Sequence, residues 1–161
     1  MLIFVGNSSS RYGTRIKNLA LKFKDKKQIK INFIDPTDDI GGHYLAADVF
    51  LLCSRVESGP RVILEAQAFG LAIISTPVFG IAEQIPDSSD ACFYAPGDVA
   101  HLGHLMVRMA SNKLERNRLS QCSKINFSRK NNFKKMINLY KEEIQEACLN
   151  IKTQDFITPP P

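Results

Sequence analysis

The feature that most constrains the fold is the alternation of short apolar segments with helix-like segments. The apolar segments are apolar throughout, and the segments between them carry apolar residues at helical spacing. Strands of this kind, joined by helices, are typical of a parallel sheet that is covered on both faces. The sequence therefore predicts an α/β fold: a Rossmann-like doubly wound parallel sheet of about five strands, with extra C-terminal helices. The predicted strands are residues 2–6, 29–34, 49–53, 72–76 and 91–95.

Helices are predicted between these strands and after them. The last helix carries an apolar stripe wider than a small sheet needs, which suggests packing on something outside the domain. One domain is expected over residues 1–151, followed by a tail at 152–161. The other predicted helices are 12–24, 43–49, 60–69, 80–85 and one from the PGD turn to about Ala110, with a further helix before the last. The stripe is Phe133, Met136, Ile137, Tyr140, Ile144, Ala147 and Ile151.

Composition excludes several classes of protein. With 161 residues, 44% hydrophobic and 23% charged, the chain is long enough for one domain with a core and is not typical of a disordered protein. Its apolar runs fall short of the roughly 20 residues that a membrane-spanning helix needs. The start, MLIFVG, lacks the features of a signal peptide, so a cytoplasmic protein is expected. The net charge of +5 favours anionic partners such as phosphates, nucleic acid or an acidic membrane face.

Cysteine and histidine positions do not predict a metal site. The cysteines form no C-x-x-C pair and match no zinc spacing, so reduced and mostly buried thiols are expected. His101 and His104 share a helix face and His43 lies in a loop, but further ligands are missing. The sequence also contains no D-x-D, G-x-G-x-x-G or P-loop motif. The four cysteines are Cys53, Cys92, Cys122 and Cys148.

The segment ESGPRVILEA, residues 57–66, is the strongest candidate for a binding site. It follows the third predicted strand, and ligands of open parallel sheets bind outside the carboxyl ends of the strands. Pro60 suits the first helical position, which places Glu57 in the loop and Glu65 on the second turn. Unpaired N–H groups at the helix N-terminus suit a phosphate or sugar hydroxyls. Spacing alone equally allows Glu57 to be a surface charge at the helix start and Glu65 to pair with Arg61.

A wider pattern resembles the signature region of retaining glycosyltransferases of family 4, which have the two-domain GT-B architecture. The order is Y-x-x-A-D-V, a strand ending in serine, E-x7-E, E-A-x-A-x-G, a strand ending near threonine, and G-x-x-E. The P-G-D turn and the Leu-Tyr pair near the end also match, so the resemblance covers roughly residues 1–147. The matching residues are Tyr44, Ala47, Asp48, Ser54, Glu57, Glu65, Ala66, Gly70, Thr76, Gly80, Glu83, Tyr94–Asp98, Leu139 and Tyr140.

The resemblance implies a role for each part of the segment. Glu57 would be the catalytic residue, hydrogen-bonding hydroxyls of the donor sugar, and Glu65 would hold the ribose hydroxyls. The loop at Asp35 and Pro36 would border the base, although a simple turn explains it equally well. The backbone of the intervening residues would face the donor sugar and the diphosphate. These residues are Ser58, Gly59, Pro60, Arg61 and Val62.

Two departures from the family pattern are visible. Family members often carry glycines and an aromatic residue after the first glutamate, whereas Pro60 here removes an N–H donor. We also find no counterpart of the acceptor-binding N-terminal domain, nor of an opening strand–helix unit whose arginine and lysine neutralise the leaving diphosphate. Arg11 and Arg15 could approach the site or form a solvated face.

The function implied by the resemblance is transfer of a hexose from a nucleoside diphosphate (NDP) sugar to a glycan or lipid-linked acceptor, with retention. This chain would be the donor-binding half, without a metal or other cofactor and without nucleic acid. The basic run 124–135 suggests either peripheral membrane contact or a solvated helix face. Two alternatives remain: a non-catalytic nucleotide-binding or interaction module, as a truncated or split product, and a doubly wound regulatory domain.

Overall fold

The computed structural model describes residues 1–23, 30–130, 138 and 141–146. It is an α/β protein whose described strands all pair in parallel, which confirms the predicted fold class. The described strands pair as one two-stranded and one three-stranded sheet, whereas a single sheet of about five strands was expected. The chain divides into two compact units, Met1–Ala46 and Ala47–Pro161. The expectation of one domain over residues 1–151 stays a prediction.

The first unit contains β1 (Leu2–Val5), α1 (Arg11–Leu21), β2 (Ile31–Ile34) and α2 (Ile40–Ala46). β1 and β2 pair in register, and the stacked rings of Phe4 and Phe33 lie 5.0 Å apart between centroids. α1 begins where it does because the Ser10 hydroxyl accepts a hydrogen bond from the Gly13 N–H at 3.0 Å.

The second unit contains a three-stranded sheet in the order β3-β4-β5. β4 is central and all four of its residues are buried, as expected for a fully apolar strand. α5 and α6 pack over this sheet and complete its core. The elements are β3 (Val49–Leu52), α3 (Arg61–Ala68), β4 (Ala72–Ser75), α4 (Gly80–Gln84), β5 (Cys92–Phe93), α5 (Val99–Ser111) and α6 (Lys113–Lys130). The core residues are Ala72, Ile74, Cys92, Tyr94, Leu105, Met109 and Leu119.

Two serines of α6 form hydrogen bonds with the turn between α3 and β4. Ser120 Oγ donates to the Gly70 carbonyl at 2.5 Å, and Ser123 Oγ donates to the Leu71 carbonyl at 2.7 Å. Gly70 takes a positive φ of 67°, the left-handed conformation that ends many helices, and the Lys124 side chain lies against it. The turn that leads into the central strand is therefore held by side chains of α6.

Several sequence expectations need correction at the element ends. α2 begins at Ile40 rather than at residue 43, because the Asp39 carboxylate accepts a hydrogen bond from Gly42 N at 3.0 Å and caps the helix earlier. α3 begins at Arg61. Pro60 is the residue before the helix rather than its first residue, since its ψ of 117° is extended.

Burial also differs from expectation at two kinds of residue. Phe69, expected on the buried stripe of α3, is 37% exposed, whereas Gln67 is buried and donates to the Gln84 carbonyl of α4. The cysteines described are free thiols as expected, but Cys53 is exposed because β3 ends before it; Cys92 is buried and Cys122 is intermediate.

Most of the last predicted helix, the tail and Cys148 lie outside the described residues. Residues 141–146 are helical, and Ile144 is 61% exposed there, although it was expected on the apolar stripe. The other residues of that stripe lie outside the described residues. Within the described ranges, no helix combines the length and apolar character needed to cross a membrane.

Candidate functional site

Glu57 is held in place by two hydrogen bonds in series at the carboxyl ends of β3 and β4, which we call the Thr76–Ser54–Glu57 relay. Ser54 Oγ donates to Glu57 Oε1 at 2.6 Å, and Thr76 Oγ1 donates to the Ser54 carbonyl oxygen at the same distance. Thr76 is 1% exposed, while Glu57 is half-buried. A buried hydroxyl at the end of β4 therefore fixes the backbone of Ser54, and Ser54 in turn orients the carboxylate.

The main chain around Glu57 lies directly against the loop that follows β4. The N–H of Gly80 donates to the Glu57 carbonyl at 3.4 Å. A Cβ atom at Gly80 would lie only 1.9 Å from the Ser58 carbonyl oxygen and 3.0 Å from the Cα of Gly59. The two loops can approach this closely only because residue 80 has no side chain.

The start of α3 carries no side-chain cap. Pro60 is buried, has no N–H and makes no side-chain cap hydrogen bond; its carbonyl accepts from Ile63 N at 3.1 Å. Ser58, Gly59 and Arg61 are exposed around it. The first N–H groups of α3 are therefore not covered by a cap of the helix's own, which suits an anionic or hydroxyl-bearing ligand.

Glu65 lies one turn further along α3 and is half-buried, as is Val62. The structure thus brings the segment from Glu57 to Glu65 together as one loop and the helix that it enters, as the sequence predicted. Because all three strands of this unit are parallel, the loops after β3, β4 and β5 emerge at one edge of its sheet.

Asp35 and Pro36 belong to the first unit. Both are exposed and directly follow β2. The Ser8 hydroxyl hydrogen-bonds to the Asp35 carboxylate, and this bond holds the pKa of Asp35 below its ordinary value. A carboxylate held in this way stays ionised and can accept further hydrogen bonds.

Tyr94 directly follows β5, and the family pattern that includes it assigns it no separate role. Its side chain is 5% exposed, and burial raises the pKa of its hydroxyl well above the ordinary value of 10.0, with a hydrogen bond to Cys53 as the second cause. The phenol of Tyr94 therefore stays neutral.

The other polar candidates form no additional site. Arg11 and Arg15 are exposed on α1, and His101 and His104 are exposed on α5. His43 lies on α2 rather than in a loop. Throughout the part of the chain that the structure describes, no three His, Cys, Asp or Glu side chains are grouped so that they could hold a metal ion. What remains is one oriented carboxylate beside an uncapped helix start, an arrangement that can accept hydrogen bonds from hydroxyls and donate them to phosphate oxygens.

Comparison with known proteins adds independent information. The family described as "Glycosyl transferases group 1" matches residues 1–125. A curated relative, the Vi polysaccharide biosynthesis protein VipC/TviE of Salmonella typhi, is 43% identical over 54 residues, which is 34% of this chain and 9% of that protein.

Solved structures show the same fold. HepE of Anabaena, crystallised with UDP-glucose, matches with a TM-score of 0.74 and 17% identity over 89% of this chain and 40% of its own. Sucrose-phosphate synthase of Thermosynechococcus elongatus matches with a TM-score of 0.76 and 20% identity over 90% of this chain and 39% of its own. The chain therefore spans less than half the length of these GT-B proteins.

Proposed function

The chain belongs to the glycosyl transferase group 1 family, and on that premise we propose that it is the donor-binding half of a retaining hexosyltransferase, as in glycosyltransferases of family 4. The donor would be an NDP-sugar. The observation that carries the proposal is the Thr76–Ser54–Glu57 relay, which holds a carboxylate beside the uncapped start of α3.

The geometry of this relay supports a sugar ligand. Both of its hydrogen bonds are 2.6 Å long, and the buried Thr76 hydroxyl anchors them. A carboxylate oriented by neighbouring groups before the ligand arrives loses less entropy on binding hydroxyl groups than a mobile one does. Glu57 is therefore proposed as the catalytic residue that contacts the donor sugar.

The start of α3 supports a diphosphate next to that sugar. The proposed contacts are backbone groups of Ser58, Gly59, Arg61 and Val62, with Pro60 shaping the turn without donating. Glu65 is proposed to accept hydrogen bonds from the ribose.

We propose that the nucleotide is uridine diphosphate or another nucleoside diphosphate; the assignment of Asp35 and Pro36 to the base stays a prediction of the family resemblance. Structures of HepE hold UDP-glucose or UDP, which makes UDP the first ligand to test. The protein is proposed to need no metal ion or other cofactor.

The reaction proposed is transfer of the hexose to a glycan or lipid-linked acceptor in polysaccharide biosynthesis, in the cytoplasm or at the membrane surface. The name of the Salmonella relative supports a polysaccharide product. The protein would contribute positioning and charge stabilisation, with the leaving diphosphate assisting deprotonation of the acceptor.

A thermal-shift experiment tests the donor site. UDP, UDP-glucose, GDP and GDP-mannose are each added to the chain and to the variant Glu65→Ala. A ligand at 100 times its dissociation constant stabilises a protein by about 2.7 kcal/mol, which raises Tm by roughly 2–4 °C per kcal/mol at this size. At least one nucleotide is expected to raise Tm in the wild type and to do so much less in Glu65→Ala.

The matched control is Glu143→Ala, which removes an exposed glutamate from helical residues 141–146. This variant is expected to respond to nucleotide as the wild type does. The proposal is wrong if no nucleotide shifts the wild type, or if the Glu65 and Glu143 variants respond equally.

A further inference from the structure

Phe79, in the loop between β4 and α4, has a backbone conformation that is rare for a residue with a side chain. Its φ is 43° and its ψ is −125°. These angles are close to those of the first central residue of a type II′ turn, a position that glycine dominates. The N–H of Ile81 donates to the Val78 carbonyl at 3.1 Å and closes the turn. Among the described residues, Phe79 is the one residue other than glycine with a positive φ.

Packing within the second unit does not account for this conformation. The Phe79 side chain is 67% exposed, so the ring is not anchored in the core of its unit. Both the positive φ of the backbone and the exposure of the apolar ring to water are unfavourable in free energy. Strained residues of this kind cluster at ligand sites, and exposed apolar groups mark binding grooves.

The turn lies directly against the proposed donor loop. Gly80, the next residue, donates its N–H to the Glu57 carbonyl at 3.4 Å and leaves no room for a Cβ atom beside the Ser58 carbonyl. Phe79 is therefore the neighbour in sequence of a residue that is hydrogen-bonded to Glu57, whose carboxylate is oriented by Ser54. A phenylalanine side chain is long enough to border a ligand held by that segment.

We propose that Phe79 is a specificity-determining residue whose ring forms an apolar wall of the subsite for the donor hexose. This inference rests on the proposed function. A hexose presents both C–H groups and hydroxyls, and ligand sites pair apolar or aromatic walls with a few placed polar groups. Phe79 would pack against the C–H groups while Glu57 accepts hydrogen bonds from hydroxyls. Hexoses differ in the orientation of their hydroxyls, and only those with C–H groups facing the Phe79 ring would fit well.

Two substitutions separate the ring from the backbone strain. Phe79→Ala removes the ring but keeps a Cβ atom at positive φ, whereas Phe79→Gly removes the ring and also relieves the strain. Leu114→Ala is the matched control, since Leu114 is an 83% exposed apolar side chain on α6. Calorimetry measures the binding of UDP and of UDP-glucose to the wild type and to all three variants. If the protein does not bind UDP, the same measurements are made with GDP and GDP-mannose and with ADP and ADP-glucose.

Both Phe79 variants are expected to bind the nucleotide sugar about five- to tenfold more weakly, with binding of the nucleotide alone unchanged. The Tm of Phe79→Gly is expected to exceed that of Phe79→Ala, and Leu114→Ala is expected to bind both ligands as the wild type does.

Three results would overturn the assignment of Phe79 while leaving the donor site in place. They are equal weakening of nucleotide and nucleotide sugar, unchanged binding of both, and a wild type that binds the nucleotide but gains nothing from the sugar. If the wild type binds no member of any pair, the proposed function fails and the role of Phe79 fails with it.

Discussion

At the scale of single residues, the position of Glu57 depends on small groups rather than on other charges. The Ser54 and Thr76 hydroxyls orient it from one side, and the absence of a side chain at Gly80 lets the next loop close on it. Serine, threonine and glycine are short enough for a loop packed between two strand ends. Tertiary contacts as well as turn preference therefore explain why these residue types occur at these positions.

Gly80→Ala tests this dependence. The added Cβ atom would lie 1.9 Å from the Ser58 carbonyl oxygen, a backbone atom that cannot move without displacing the segment after Glu57. We expect a loss of about 1–3 kcal/mol in the free energy of unfolding, as for other overpacked sites. We also expect at least tenfold weaker binding of the nucleotide sugar. Urea unfolding and calorimetry measure the two effects.

Gly103→Ala is the control for that substitution. Gly103 lies inside α5, and a Cβ atom there would have no other atom within 4 Å. Alanine in a helix interior is expected to stabilise the protein by about 0.5–1 kcal/mol, with ligand binding unchanged. Retention of full ligand binding by Gly80→Ala would show that the contact between the two loops does not shape the site.

At the scale of elements, α6 has a structural role that its sequence does not reveal. It reaches the turn that leads from α3 into β4, and β4 is the central strand whose far end carries Thr76. The same turn ends α3, the helix whose start borders Glu57. α6 therefore supports both elements of the candidate site from the end opposite to that site.

Ser123→Ala tests the support that α6 provides. Ser123 is 2% exposed, and its hydroxyl donates to the Leu71 carbonyl at 2.7 Å. The substitution leaves that carbonyl buried without this donor, which costs about 1–3 kcal/mol. Ser128→Ala is the control, because the exposed Ser128 hydroxyl bonds to a carbonyl of its own helix. Urea unfolding is expected to show a large loss for the first variant and almost none for the second; equal effects would contradict the role given to α6.

The elements that could be predicted from the sequence are those whose signal is local. β4 is apolar in AII and buried in all four residues, so its assignment did not depend on its neighbours. The same holds for the five strands as a set and for the loop–helix segment from Glu57 to Glu65. The predicted start of α2 is three residues late because the prediction does not use the cap at Asp39. An aspartate directly before a helix is a local signal, so the sequence alone contains the information for the correct start.

Features set by packing partners could not be predicted in the same way. Gln67 is buried and donates to a carbonyl of α4, whereas Phe69 is exposed although helical spacing placed it on the apolar stripe. The bond from Thr76 to Ser54 joins residues 22 positions apart, and no spacing rule indicates it. Phe79 is the extreme case, since phenylalanine is not a residue that predicts a turn.

At the scale of the whole molecule, the chain matches only part of each solved structure that shares its fold. It covers 40% of HepE and 39% of sucrose-phosphate synthase. A transfer reaction needs two substrates held in one geometry, and this positioning accounts for much of the rate, up to effective concentrations of about 10⁵–10⁸ M. The residues that we propose for the site would contact the donor, and none of them is proposed to contact the acceptor.

The 161-residue chain by itself is therefore expected to bind a nucleotide sugar without transferring the hexose. The measurement is release of UDP from UDP-glucose, with and without a pool of glycan and lipid-linked acceptors, and Glu57→Gln as the background control. Both proteins are expected to release UDP at the same low rate, because water and acceptor are not positioned against the anomeric carbon. Acceptor-dependent UDP release by the wild type that is lost in Glu57→Gln would show instead that the chain holds both substrates, and the donor-half assignment would have to be replaced by that of a self-sufficient transferase.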